Sequence, residues 1–252
     1  MFLLSPLEQF QIIPLFLVKF GNLDISFTNG NLVTLVAILM LFILISMLIS
    51  FKGNLYVIPS RWQIVMETVY ETIESMLYDN LGSRGQQFFP FIFVLFTFVL
   101  MSNLIGLVPY SFTTTSHLVV TFSLALTIFI GVNIICVKEH GFHMISLFLP
   151  SGTSLGLATL LVPLELVSYL FKPVSLGVRL FANMMAGHTL LKVIVGFAYS
   201  MLTSGSLLLI MHILPIFILI LLVGLELGVA MIQAYVFTIL TCIYLNDAIN
   251  LH

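Results

Sequence analysis

Four ionisable side chains stand in apolar surroundings, where a charge is costly. Glu165, Lys172 and Arg179 follow one another at intervals of seven residues in a long apolar segment. Seven residues is close to two helical turns, so on a helix all three share a face, and Asn183, four residues on, stays on it. Glu226 lies in a second apolar segment, with Gln233 seven residues beyond it, about 10.5 Å along a helix axis. An ionised group at a bilayer centre costs at least about 2.5–3.5 kcal/mol, so such residues are paired, functional or both. Arg179 cannot discharge by losing its proton, and its charge must be answered by a partner or by water. Lys172 and Lys192 have long stems and are expected to snorkel to an interface. His188, nine residues after Arg179, falls on the opposite face of a straight helix, and its near-neutral imidazole is a competent proton carrier. The polar stripes fit either clamps that hold helices together or a water-accessible ion route. The ion route is preferred, because clamps use amides and hydroxyls and rarely a strong base with carboxylates. Gly224 and Gly228 bracket Glu226, and Ala182 and Ala186 follow Arg179. Small residues four apart let another helix approach closely, so a partner helix would meet these charges directly.

The elements that must carry these residues follow from composition. The chain has 252 residues, of which 60% are hydrophobic and 7% charged, where a soluble domain has about 25% charged. That excludes a soluble enzyme, a disordered chain and a nucleic-acid binder with a basic patch, and leaves an integral membrane protein. A crossing needs about 20 apolar residues. The first is expected at 31–50. Residues 85–137 lack Asp, Glu, Lys and Arg and are broken by LVPYSFTTTSH (107–117), giving helices at 88–108 and 118–137. Long apolar segments follow at 156–202 and 207–245. Between the first two crossings, residues 59–82 place Trp62, Val65, Met66, Val69, Ile73, Met76 and Leu77 at helical spacings, with Glu67, Glu71, Glu74 and Asp79 on other faces. This predicts an amphipathic helix lying on the membrane surface or packed on a partner. No linker or repeat divides the chain, so 1–252 is expected to be a single membrane domain. Lys52, Arg61 and Arg84 precede the second crossing and Lys138 follows the third, which puts both groups on one side and, with five crossings, leaves the N-terminus outside and the C-terminus inside. Cys136 and Cys242 are expected to pack as small apolar residues, and His140 and His143 lack further ligands, so no metal or cofactor is expected. His117 and His212 lie near predicted membrane boundaries.

Three segments carry a family resemblance. KPVSLGVRLFANMMAGHTLL (172–191), GLELGVAMIQAYVFTILTCIYLND (224–247) and FVLMSNLIGLVPYSFTTTSH (98–117) resemble subunit a of F-type ATP synthases, and the order of elements after about residue 30 is similar too. His188 together with Glu226 resembles the mitochondrial branch, and the N-terminal segment resembles fungal forms, with a possible short leader before Ser5. Lys172 stands where the family commonly has Arg. The resemblance implies an all-α membrane protein whose last two helices form a long tilted hairpin against a rotor ring. It implies a proton-translocating stator subunit with two offset aqueous half-channels and no catalytic centre of its own. Residue by residue, it implies that Arg179 is the essential arginine separating the half-channels. Glu226 and His188, with Asn183 and Gln233, would serve the intermembrane-space side, Glu165 the matrix side, and Asp247 a channel mouth. A fixed cation at Arg179 would favour the ionised form of an arriving ring carboxyl and oppose a direct leak. The implied partners are the ring of c subunits, peripheral-stalk subunit b, small membrane subunits and the bilayer, in the mitochondrial inner membrane, with no nucleic acid. Two rival readings remain. A stand-alone ion-coupled transporter or channel would be expected to show internal repeats, and none is evident. A purely structural assembly subunit leaves Arg179 unexplained.

Overall fold

The computed structural model describes residues 6–21, 23–53, 61–108, 111–141, 155–203 and 213–250. Six α-helices carry the described chain: α1 (Asn29–Gly53), α2 (Arg61–Leu81), α3 (Phe89–Gly106), α4 (Leu118–His140), α5 (Leu155–Thr203) and α6 (Ile213–Ile249). Five stretches are long and apolar enough to cross a membrane: Asn29–Met47, Gln63–Gly106, Leu118–His140, Thr159–Thr203 and Ile213–Ile249. The fold is that of an all-α integral membrane protein. Its logic is that of lipid as solvent, since a helix satisfies every interior backbone group within itself. The last two helices exceed an upright crossing. Their 49 and 37 residues correspond to roughly 74 and 56 Å of helix against a hydrocarbon core of about 30 Å. Pro163 and Pro173 lie inside α5, and each removes one backbone hydrogen bond there. Of the predicted elements, positions 59–60 of the amphipathic helix and 207–212 of the last segment, including His212, lie outside the described residues, as do Ser5 and His143.

One small element departs from the helical expectation. Residues 14–28 form two nested antiparallel ladders, β1 (Pro14–Phe16) with β4 (Phe27–Thr28) and β2 (Lys19–Phe20) with β3 (Leu23–Asp24). Gly21 takes φ +60° at the turn, a conformation that a side chain disfavours. The signal was present: Gly-Asn between apolar runs is a two-residue hairpin signature. The hairpin is tied to α1 by Asn29. Its Oδ1 accepts from the backbone N–H of Ile13 at 3.2 Å and of Gly30 at 2.9 Å, and its Nδ2 donates to the Gln11 carbonyl at 3.1 Å.

The chain divides into two compact units. The first comprises Met1–Leu44, Thr97–His117 and Leu180–Ala234; the second comprises Ile45–Phe96, Leu118–Arg179 and Tyr235–His252. Within the first, Val99, Leu180, Met184, Ala230 and Ala234 are buried. Within the second, the C-terminal half of α2 is buried through Ile73, Met76, Leu77 and Leu81, while Glu67, Glu71, Glu74 and Asp79 are exposed. The Thr238 hydroxyl of α6 contacts the Met76 sulfur at 3.8 Å. The N-terminal half of α2 leaves Ile64 and Val65 exposed, so only part of the predicted apolar stripe is covered by this chain. Helices α4 and α5 approach at Gly177, where a Cβ would lie 3.0 Å from the Phe122 Cα and 3.1 Å from the Thr121 carbonyl. Cys136 and Cys242 are buried and free, as expected of packing residues.

Candidate functional site

The residues singled out by sequence fall into two clusters. His188, Asn183, Glu226 and Gln233 belong to the first unit, and Glu165, Arg179 and Asp247 to the second.

In the first unit, Glu226 is 5% exposed, and neither carboxylate oxygen has a hydrogen-bond partner among the described residues. Its carboxylate lies against Gly187 of α5, where any Cβ would overlap it. Among the described residues nothing lies within 4 Å of a Cβ built at Gly224 or Gly228, so no described helix of this chain fills the space beside them. The helix that closes on Glu226 does so through Gly187, on the buried side, and the two bracketing glycines face open space. His188 is half-buried, with Nε2 3.2 Å from the Thr113 Oγ1 and its ring edge-on to Phe10 at 6.5 Å. Asn183 and Gln233 are half-buried, and neither makes a side-chain hydrogen bond among the described residues.

Sequence reasoning missed a buried polar band in this unit. Ser102 and Asn103 of α3 and the run Thr113–Ser116 are all at most 5% exposed. Asn103 Nδ2 donates to the Ala230 carbonyl at 3.3 Å, while its Oδ1 and the hydroxyl of Ser102 have no partner among the described residues. Buried polar atoms without partners are costly unless water reaches them, so the unpartnered oxygens of Ser102, Asn103 and Glu226 are candidates for hydration inside apolar helices. The available signal is Ser-Asn inside an apolar helix, and the threonine run that breaks the apolar stretch after it. His117, outside the crossings, stacks on Phe112 at 4.9 Å, and burial holds its pKa below the ordinary imidazole value.

The second unit behaves differently. Lys172 does not snorkel: its Nζ pairs with Asp247 of α6 at 2.9 Å and lies 5.3 Å from the Tyr169 ring and 5.0 Å from the Tyr244 ring. A cation held between two aromatic faces and a carboxylate is better off than one stretched to an interface. The Tyr169 hydroxyl donates to Asn133 Oδ1 of α4. Lys172 and Asp247, with Phe129, Cys136, Tyr169 and Tyr244 among others, line a cavity of about 10 Å³, about the size needed for one water. His140, the last residue of α4, donates through Nε2 to the Ile249 carbonyl at 2.9 Å. Glu165 is half-buried, and its Oε2 has no partner among the described residues.

Arg179 is exposed, with no hydrogen bond or salt bridge among the described residues. The exposed face of α5 around it carries Ser175, Val178, Ala182 and Ala186. The shared face expected for Glu165, Lys172 and Arg179 therefore separates into two half-buried groups and an exposed one. No group of three or more His, Cys, Asp and Glu suited to a metal ion occurs among the described residues.

Comparison with known proteins adds an independent line. The family described as "ATP synthase A chain" matches residues 32–246. A protein named ATP synthase subunit a from Pylaiella littoralis is 59% identical over 248 residues, covering 98% of this chain and 99% of the relative. Proteins of the same name from Chondrus crispus and Marchantia polymorpha are 52% and 50% identical, each over 98% of this chain and at least 97% of the relative. These relatives are from algae and a plant, and the fungal likeness expected of the N-terminal segment has no support among them.

Proposed function

This chain belongs to the ATP synthase A chain family, and from that premise we propose how its two clusters divide the work of moving protons. It is a multi-pass membrane protein and the proton-translocating stator subunit of the ATP synthase, a non-catalytic component of a complex with other membrane-sector subunits. In the proposed reading it sits in the mitochondrial inner membrane beside a ring of c subunits, with peripheral-stalk subunit b and small membrane subunits on its other faces. The long helices α5 and α6 form the tilted hairpin that meets the ring.

The observation that carries the reading is Arg179, an unpaired cation on an exposed face of small side chains in a membrane helix. Left against lipid, it would cost at least about 2.5–3.5 kcal/mol. A ring carboxylate passing at close range removes that cost, and Ala182, Ala186, Gly224 and Gly228 leave room for the helix that bears it. Arg179 then holds each arriving carboxyl ionised, so a proton cannot cross directly. The buried polar band of the first unit, with Glu226, His188, Asn183 and Gln233, is the intermembrane-space half-channel. Glu165 and the Lys172–Asp247 pair line the matrix half-channel. The distribution of charge fits the proposed orientation, because Lys52, Arg61 and Arg84, between the first two crossings, and Lys138, after the third, fall on one side, which the positive-inside rule places in the matrix. Each proton that crosses yields about 2.3 kcal/mol per 100 mV.

Arg179→Lys or Arg179→Ala in the intact complex is the test. Proton-coupled ATP synthesis is expected to fall to background while the soluble head still hydrolyses ATP. Retained coupled synthesis overturns the assignment.

A further inference from the structure

We propose that Thr113 is a positioning residue for His188, fixing a hydrogen on Nε2 so that Nδ1 is the nitrogen that takes up and releases the proton. The inference rests on the reading of His188 as a proton carrier in the first unit.

Thr113 is 3% exposed and its Oγ1 has two neighbours, His188 Nε2 at 3.2 Å and the Gly106 carbonyl oxygen at 3.3 Å. A hydroxyl has one hydrogen to give, and a carbonyl can only accept. The Gly106 carbonyl is at the buried C-terminal end of α3, where helix carbonyls lose their intrahelical donors. Ser111 reaches it at 3.2 Å but lies closer to the Ile105 carbonyl, at 2.7 Å, where its hydrogen is used. The Thr113 hydrogen therefore goes to Gly106. What Thr113 then presents to His188 is a lone pair, and Nε2 must donate. The opposite assignment would set the lone pairs of Gly106 O and Thr113 Oγ1 against each other in a buried site.

This arrangement suits both states of a proton carrier. The neutral ring donates from Nε2 and is open at Nδ1; the imidazolium donates from both nitrogens, and the Thr113 contact is unchanged. A proton binds the Nδ1 lone pair and leaves from the same atom, so neither ring rotation nor a change of tautomer is needed between transfers. Phe10 covers the ring edge-on. The ionisable groups on the surrounding first-unit elements are Glu226 on α6, Glu8 in the turn Pro6–Phe10, His117 after the threonine run, and Lys192 on α5 itself; α3 carries none. Gly106 has its own part, because a Cβ there would lie 2.6 Å from the Thr113 Cγ2 and push Thr113 off the carbonyl.

The experiment is ATP-driven proton pumping in inner-membrane vesicles, measured from pH 6 to 8 and normalised to assembled complex. Thr113→Val keeps the shape and removes the hydroxyl. Pumping is expected to fall about fivefold, the scale of one hydrogen bond, and its pH profile to change shape. Thr113→Ser is expected to restore both rate and profile. Gly106→Ala should reproduce the Thr113→Val defect, with little added loss in the double variant. A Thr113→Val enzyme whose rate and profile overlay the unmodified complex, alongside a His188→Ala enzyme that pumps poorly, overturns the proposal while sparing the role of His188. Normal pumping in His188→Ala removes the underlying reading instead.

Discussion

The two clusters treat charge in opposite ways. In the second unit Lys172 is matched by Asp247 and two tyrosine rings, with side chains 27% and 38% exposed. In the first, Glu226 is 5% exposed and nothing in the described chain answers either oxygen. A structural ion pair satisfies its own partners. A carboxylate that must exchange a proton with water or with a passing carboxyl cannot be so satisfied, because every fixed donor would hold it in one state. Arg179 is the extreme case, an exposed cation on the same helix as Lys172 with no ion pair among the described residues, and the proposed reading looks for its answering charge on another chain. What the contrast offers is a criterion for the proposed reading: in an apolar interior, the ionisable group left unpaired is the one to test as working.

Substitutions can break or sharpen that contrast. The largest effect is expected at Arg179, where no neutral residue can hold a ring carboxyl ionised; Arg179→Ala should abolish coupled synthesis and leave assembly intact, as native gels would report. Next is Glu226→Gln. The amide nearly matches the carboxyl in shape but carries no transferable proton, so passive proton flow should drop about tenfold, or about 1.4 kcal/mol in barrier, without loss of the complex. Unchanged conductance would mean that the buried, unpaired carboxylate is not on the path. Smaller again is Gly187→Ala. The new methyl overlaps the Glu226 carboxylate, and because the obstacle is the tip of a flexible side chain, it can swing aside at about 1–3 kcal/mol. Proton flow should fall a few-fold. The same substitution at Gly224, which meets nothing within 4 Å among the described residues, should act only through the ring, by impeding rotation under load rather than passive conductance.

How much of this was legible in the sequence depends on the range of the interaction. Arg179 and Glu226 stand out because a charge in an apolar run is anomalous whatever the fold. The helices are legible because lipid leaves the backbone few options. What failed was long-range. The Lys172–Asp247 pair joins residues 75 apart, and helical periodicity says which face a residue occupies but not which helix it meets. The glycine argument stopped short for the same reason, since GLELG marks small residues without saying whether this chain or another fills the space. Thr113 was hidden by a local habit, because hydroxyl residues after a helix usually serve the turn. The hairpin within 14–28 is the one element that no periodicity announces, because its strands are only two or three residues long.

The smallest effect is expected at Lys172, and it separates the two kinds of charge most cleanly. Lys172→Arg keeps the cation, can meet Asp247 with two parallel hydrogen bonds, and stacks well between Tyr169 and Tyr244. Its longer head must enter a cavity of about 10 Å³, so some repacking is needed, yet coupled synthesis should stay within about twofold, a barrier change of no more than about 0.4 kcal/mol. Lys172→Met fills similar volume but leaves Asp247 without its cation, and should cost several-fold in either synthesis or assembled complex. If Lys172 served as a working charge of the kind proposed for Arg179, Arg and Met would be equally damaging, because a proton path senses the position of its cation as much as its sign. A tolerated Arg beside a damaging Met places Lys172 with the structural pairs. Equal loss would move the boundary between structural and working charges two helical turns along α5, from Arg179 to Lys172.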